Sequence, residues 1–288
     1  MTVNRSDGLL LVGHGSRSLA SGGQMNDLCL LVRRQLPDVR VELGFLEMND
    51  PPAGQVLDRL VANGARRIVV LPLVLVSAGH AKSDVPAIVV DGRRRHPSVD
   101  LRFGSPLGIS RDLVAILGAA AVEAGGAGLP LLVIARGTSD PDANGDAHKA
   151  ARLLAEWTGA PFVHTGFTGV TGPSVPDALD VFARLGYERV AVVFWFLCTG
   201  KLVERARDDI AAFSRQSGVA VLDAGYLGPD PRLVPLVAGR YQDALDGAIA
   251  QNCDTCSYRA PWPGREERVG QPIGVGHSHL AASHRHPC

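Results

Sequence analysis

Gly8-Leu-Leu-Leu-Val-Gly-His14-Gly-Ser16 is followed, 122 residues further on, by Pro130-Leu-Leu-Val-Ile-Ala-Arg136-Gly-Thr138. In both stretches a short aliphatic run stops at a small residue, then a basic one, a glycine and a hydroxyl. Such a run has the length and branching of a strand buried on both faces, and the glycine marks the turn that ends it. Working outward, Gly44-Phe45 recurs at the same spacing as Gly166-Phe167, and Pro51 as Pro173. Gly64-Ala-Arg-Arg67-Ile-Val-Val70 returns as Gly186-Tyr-Glu-Arg189-Val-Ala-Val192, and Leu107-Gly108 as Leu227-Gly228, where the spacing has slipped to 120. The common order and near-constant offset identify an internal duplication.

Each copy alternates apolar runs with amphipathic stretches. The first predicts strands over 9–12, 39–45, 68–76 and 101–104, with helices over 19–35, 53–63, 83–95 and 110–124. The second predicts strands over 131–135, 162–166, 190–197 and 220–223. This βα alternation implies an α/β fold in which each copy is a parallel four-stranded sheet flanked by helices. The expected organisation is an N-terminal lobe over 1–126, a duplicated lobe over 127–250 with Gly125-Gly-Ala-Gly128 at the hinge, and a tail over 251–288. The tail loses the pattern and is rich in Gly, Pro, Arg and His.

Composition narrows the function classes. The 288 residues carry 29 Lys+Arg against 29 Asp+Glu, with 46% apolar and 20% charged residues, as in a soluble globular protein. A zero net charge argues against a dedicated nucleic-acid binder. The longest apolar run, over 68–79, is interrupted by Pro72, and crossing a bilayer takes about 20 residues. The first apolar stretch ends at once in Gly13-His14-Gly15, which is unlike a signal peptide. Five cysteines, an odd number, do not make a disulfide framework. The expectation is a cytoplasmic protein with no membrane partner and with thiols reduced or metal-bound.

In open parallel sheets ligands bind beyond the carboxyl ends of the strands. His14 follows the first predicted strand, Glu47 and Asp50 the second, and His80 the third. Two imidazoles and a carboxylate meeting there would suit a borderline divalent metal, the alternative being that each His only satisfies a loop. Other chemistries lack their residues. The one Gly-Lys pair, Gly200-Lys201, has Trp195 and Leu202 where a phosphate loop needs Gly and Ser or Thr, so no ATP site of that type is present. Gly13-His14-Gly15 lacks the third glycine of a dinucleotide turn, and Ser16 lies outside a G-x-S-x-G elbow.

Taken together, Leu11-Val-Gly-His-Gly-Ser-Arg17, Gly44-Phe-Leu-Glu47, Pro72-Leu-Val-Leu-Val-Ser-Ala-Gly-His80 and Asp84-Val-Pro86 resemble the class II chelatases, among them sirohydrochlorin cobaltochelatase and ferrochelatase. Arg136-Gly-Thr-Ser-Asp-Pro-Asp-Ala-Asn144 and Thr199-Gly-Lys-Leu-Val-Glu-Arg205 resemble the second unit of the long form, and the likeness spans about 8–250. It implies two flavodoxin-like lobes around a tetrapyrrole, and ATP-independent insertion of Co²⁺, or alternatively Fe²⁺, into sirohydrochlorin. It implies metal-binding and catalytic roles for His14 and His80, with Glu47 assisting. Arg136, Gly169 and Lys201 or Leu202 stand at the repeat positions of His14, Glu47 and His80, so one centre per chain is expected. Ser16, Arg17, Arg136, Lys201 and Arg205, with Lys82, are candidates for gripping the substrate's carboxylates. A metal-storage or metallochaperone protein and a two-lobed binding module are the readings outside enzymology.

Cys253-Asp-Thr-Cys256 supplies two thiolates where a closed zinc or iron–sulfur site commonly needs four ligands. Some long members of the family carry a M-x-C-x-x-C segment associated with an iron–sulfur cluster; here Gln251 replaces the Met. A cluster at Cys253 and Cys256, zinc, or no metal all stay open. His277, His279, His284 and His286 crowd the last residues and suggest a metal-loading arm, with an interrupted purification tag as the alternative. Cys29 and Cys198 lie in apolar surroundings and are expected in the core.

Overall fold

The computed structural model describes residues 6–248. The aliphatic runs 9–12 and 131–135 are inner strands of two separate sheets. β1 (Asp7–Gly13), β2 (Arg40–Phe45), β3 (Arg67–Pro72) and β4 (Asp100–Phe103) form one, in the order β2-β1-β3-β4. β5 (Leu131–Ala135), β6 (Val163–Phe167), β7 (Arg189–Phe194) and β8 (Ala220–Tyr226) repeat it as β6-β5-β7-β8. Every pairing is parallel. The intervening helices are α1 (Leu19–Gln35), α2 (Ala53–Ala62), α3 (Val85–Arg95), α4 (Arg111–Glu123), α5 (Pro141–Thr158), α6 (Val175–Arg184), α7 (Lys201–Ser217) and α8 (Val234–Leu245). The duplication reaches individual hydrogen bonds. Phe45 N donates to Pro51 O at 3.0 Å and Phe167 N to Pro173 O at 2.9 Å; Leu73 N donates to Val12 O and Trp195 N to Ile134 O, both at 2.8 Å.

The aliphatic runs are continuous because both faces of each inner strand are covered. Side chains alternate, so Leu9 and Leu11 enter a core shared by the two lobes, while Leu10 and Val12 pack with Val56 and Leu57 of α2 and Val89 of α3. In the second lobe Leu131 and Val133 join the shared core, and Leu132 and Ile134 pack with Phe182 of α6 and Val203 of α7. Each such fully buried side chain contributes about 1.5–3 kcal/mol relative to exposure.

The last helix of each repeat crosses to the other lobe. α4 buries the stripe Leu113, Ile116, Leu117 and Ala121, and packs on α5, β7 and β8. α8 buries Val234, Val237, Tyr241 and Ala244, and packs on α1, β3 and β4. Arg102 of β4 donates to the carbonyls of Ala244 and Leu245 at the end of α8, and Arg240 Nη2 donates to Leu107 O at 3.1 Å. The expected boundary at 126/127 therefore marks the sequence repeat, whereas the packed lobes exchange a helix. The linker explains why. A Cβ on Gly126 would meet Ala121 O at 2.8 Å and Ala191 Cβ at 3.0 Å, so the chain leaving α4 runs directly against β7.

Expected boundaries shift at the carboxyl ends of the strands, and in the second lobe the strand expected over 190–197 ends at Phe194. The strand expected over 68–76 ends at Pro72, although Leu73 and Leu75 stay buried. Their apolarity serves the shared core, which periodicity cannot tell from a strand. The helix expected over 83–95 is preceded by a π-helical turn, His80–Asp84, and becomes α-helical at Val85. The basic end of α3 bonds locally, Arg95 and His96 to Asp58 and Arg93 to Leu101 O. Among the described residues no helix is long and apolar enough to cross a membrane. Cys253, Cys256, His277, His279, His284 and His286 lie outside the described residues.

Candidate metal centre

The carboxyl end of β1 delivers His14 into a turn held by backbone and side-chain bonds. Glu47 N donates to His14 O at 3.1 Å, Ser16 N to Asn49 Oδ1 at 2.6 Å, and Ser18 N to Ser16 Oγ at 3.1 Å. Gly15 sits at φ +98°, and a Cβ there would lie 1.7 Å from Glu47 O. Only glycine permits this approach, which brings the β2–α2 loop and Glu47 alongside His14.

His14 Nδ1 lies 3.2 Å from Gly15 O and 3.3 Å from Glu47 Oε1, whereas its Nε2 is buried without a hydrogen-bond partner. His80 opens the π-helical turn, and its Nδ1 lies 2.5 Å from Asp84 Oδ2 one turn on. The two imidazoles meet edge to face, with centroids 4.3 Å apart and planes at 84°. One donor atom from each of His14, Glu47 and His80 falls within a mutual 4.8 Å, the one such cluster of three among the described residues. Asp50, the other carboxylate after β2, is exposed and does not join it.

Burial holds the His14 pKa below its usual 6.5, and the nearby Arg136 and His80 push it the same way. Glu47 and the Gly15 carbonyl oppose them. The imidazole is therefore neutral near pH 7, the form that ligates metal. Asp84 holds the ring of His80 through Nδ1 and leaves its Nε2 uncommitted to that contact, the arrangement metal-binding histidines commonly use.

The candidate substrate-gripping residues divide. Arg17, Arg136 and Lys201 are exposed and have no carboxylate partner among the described residues. Arg136 comes close to its repeat counterpart His14. Lys201 opens α7 beside Ser16, since a Cβ on Gly200 would lie 3.8 Å from Ser16 Oγ. Arg205 donates to Thr168 O at 2.8 Å and keeps its remaining guanidinium donors for a ligand. Ser16 Oγ accepts from Ser18 N, so it shapes the turn while its proton stays available. Lys82 is different: its ammonium lies 2.7 Å from Asp140 Oδ2 and 3.0 Å from Asp142 Oδ2, and its side chain is 12% exposed. It is already engaged by two protein carboxylates.

Five contributors were given no role by the sequence. Asp84 carried an i,i+4 signal with His80, which its place at a helix start obscured. Asn49 anchors Ser16 across 33 residues, and Gln24 of α1 accepts from Thr199 N and donates to Tyr226 Oη, both at 2.8 Å. Asp140 and Asp142 read as helix-start residues and meet Lys82 only in three dimensions. Among the described residues Cys29 is buried in the core as expected, and Cys198 is partly buried against it. Burial pushes the thiols of Cys29 and Cys198 up to about 11 and about 12, too high for a thiolate at neutral pH.

A family model described as CbiX matches this chain twice, over 8–124 and 130–244. A sirohydrochlorin cobaltochelatase from Priestia megaterium is 34% identical over 258 residues, 87% of this chain and 84% of its own length. A sirohydrochlorin ferrochelatase from the same organism is 29% identical over 246 residues, 84% of this chain and 92% of its own. Among solved structures, SirB from Bacillus subtilis with Fe³⁺ superimposes with a TM-score of 0.75 at 26% identity, over 84% of this chain and 97% of that one.

Proposed function

This chain belongs to the CbiX family, and we propose that it inserts Co²⁺ into sirohydrochlorin without ATP. The observation that carries the reading is the trio of His14, Glu47 and His80 at the open end of the first sheet, with the buried His14 Nε2 left unpartnered beside His80. The second repeat carries no equivalent, having Arg136 and Gly169 at the places of His14 and Glu47. It contributes cations instead.

Metallation exchanges two pyrrole N–H protons for one M²⁺, so the site must deliver an ion and accept protons. Two neutral imidazoles and one carboxylate bind a first-row dication while leaving its other positions open to macrocycle nitrogens. As those nitrogens replace protein ligands, the freed His14 and His80 nitrogens and the Glu47 carboxylate become bases for the departing protons. Glu47, about half exposed, connects the trio to water. The macrocycle's rim carboxylates would meet Arg17, Arg136, Lys201 and Arg205, three of the four from the second lobe.

Cobalt is preferred because the relative at 34% identity is a cobaltochelatase; the relative at 29% keeps Fe²⁺ as the second reading. The deciding experiment follows the visible absorption of sirohydrochlorin with Co²⁺ and Fe²⁺ alone and in competition. Acceleration with cobalt dominant supports the proposal, and acceleration with iron dominant supports the second reading. No acceleration over the spontaneous reaction favours metal storage or delivery.

Arg136 has two separable effects. Arg136→Gln should raise KM for the tetrapyrrole about tenfold through loss of a charge-assisted bond. It also removes a positive neighbour that lowers the His14 pKa, so His14 should titrate closer to 6.5. Glu47→Gln removes a negative neighbour and should move His14 the other way. NMR titration of the metal-free protein measures both directions.

A further inference from the structure

We infer that Lys82 is a positioning residue: clamped between Asp140 and Asp142, it fixes the turn that carries His80 against the opposite lobe and so sets the width of the cleft. The inference rests on the chelatase reading for its consequence, though not for its geometry. Lys82 lies between His80 and Asp84 in the π-helical turn His80–Asp84. Its partners belong to the loop that leaves β5, the same loop that carries Arg136, and to the first turn of α5. One ammonium, contacting both carboxylates, thus joins the segment bearing the metal-site histidine to the segment bearing a substrate-facing arginine.

Burial and local bonding make the link stiff. The side chains of Lys82, Asp140 and Asp142 are 12%, 22% and 25% exposed. Asp140 also caps α5, accepting from Asp142 N at 3.1 Å, so it is not free to follow a moving lysine. Without the ammonium, two neighbouring carboxylates repel each other, and the lobes lose an attraction at the point where their separation matters.

The duplication supplies a control within the chain. A strut needed by the fold alone would be expected in both repeats. At the positions related by the 122-residue repeat stand Glu204 for Lys82 in the second repeat, and Ser18 and Ala20 for Asp140 and Asp142 in the first, and these cannot form the pair. The link exists only where the histidines are. The other polar tie at the cleft, Gln24 to Thr199 N and Tyr226 Oη, uses neutral groups and holds the approach to Lys201 instead.

The test compares Lys82→Met, Lys82→Arg and the neutral triple Lys82→Met, Asp140→Asn, Asp142→Asn in the full chain. The triple leaves no unpaired charge, and asparagine preserves the cap, so it guards against simple unfolding. Spin labels at Leu19→Cys and Val170→Cys, exposed sites on different lobes, report the cleft when the five native cysteines are replaced. In both Met variants the label distance should lengthen and broaden. KM for sirohydrochlorin should rise about tenfold while kcat falls by less than about threefold, because an unheld cleft must be ordered on binding. Lys82→Arg should restore both readouts. Unchanged label distances and KM in the folded triple variant would overturn the inference. If wild type inserts no metal, the chelatase reading fails and the label distances still decide whether Lys82 holds the lobes.

Discussion

The His14→Ala, His80→Ala double variant is expected to remain folded and to insert metal no faster than the spontaneous reaction. Neither imidazole belongs to the core clusters, and their side chains are 21% and 39% exposed, so removing them leaves no cavity between the sheets. What is lost is two of the three donors that come within 4.8 Å of one another. Glu47 alone, half exposed, offers one carboxylate to an ion that water solvates equally well. Base contributions of this kind are commonly worth 10²–10⁴-fold, so a fall of about 10³-fold or more is expected in the absorption assay. Circular dichroism should be unchanged. A folded double variant that keeps a rate near wild type would remove the trio from the mechanism.

Gly15→Ala should be nearly as damaging, although it adds one methyl group and touches no donor atom. At φ +98° an alanine is strained by about 1–3 kcal/mol, before any contact is considered. Its Cβ would also fall 1.7 Å from Glu47 O, so the His14 turn and the β2–α2 loop must separate. That movement pulls Glu47 from His14 and breaks the Glu47 N to His14 O bond. A displacement of about 1 Å in a reacting group costs on the order of 10²-fold, and that loss in insertion rate is expected. Gly23→Ala provides the comparison. It makes the same chemical change inside α1 with nothing within 4 Å, and should be neutral or stabilising by up to about 1 kcal/mol. Thermal melting and the insertion assay on the two variants check both statements.

The trio was legible because strand-end position is a strong filter. Once 9–12, 39–45 and 68–76 read as parallel strands, His14, Glu47, Asp50 and His80 stood at one end, and the family resemblance singled out the trio. The strand limits were less legible: Leu73, Leu75, Trp195 and Leu197 are as apolar as strand residues but are buried as loops in the shared core. The partners of the trio were less legible still. Asn49, Gln24, Asp140 and Asp142 are ordinary polar residues whose work depends on segments up to 202 positions away. Lys82 was misread for this reason, since a cation near a strand end gives no sign of the carboxylates that will already hold it.

Reading residues in order was enough to establish the duplication and the parallel sheets, and to bring His14, Glu47 and His80 to the same end of one sheet. Those features follow from local pattern: aliphatic runs, glycine turns, and the presence or absence of histidine at repeat positions. The exchange of α4 and α8 between lobes and the clamp on Lys82 came from three-dimensional packing alone. The physical reason is that an apolar stripe such as Leu113, Ile116, Leu117 and Ala121 specifies that a helix must be covered, not by which sheet. Here the chain leaving α4 passes close to β7 at Gly126, and the stripe is covered by the second sheet, α4 packing on β7 and β8.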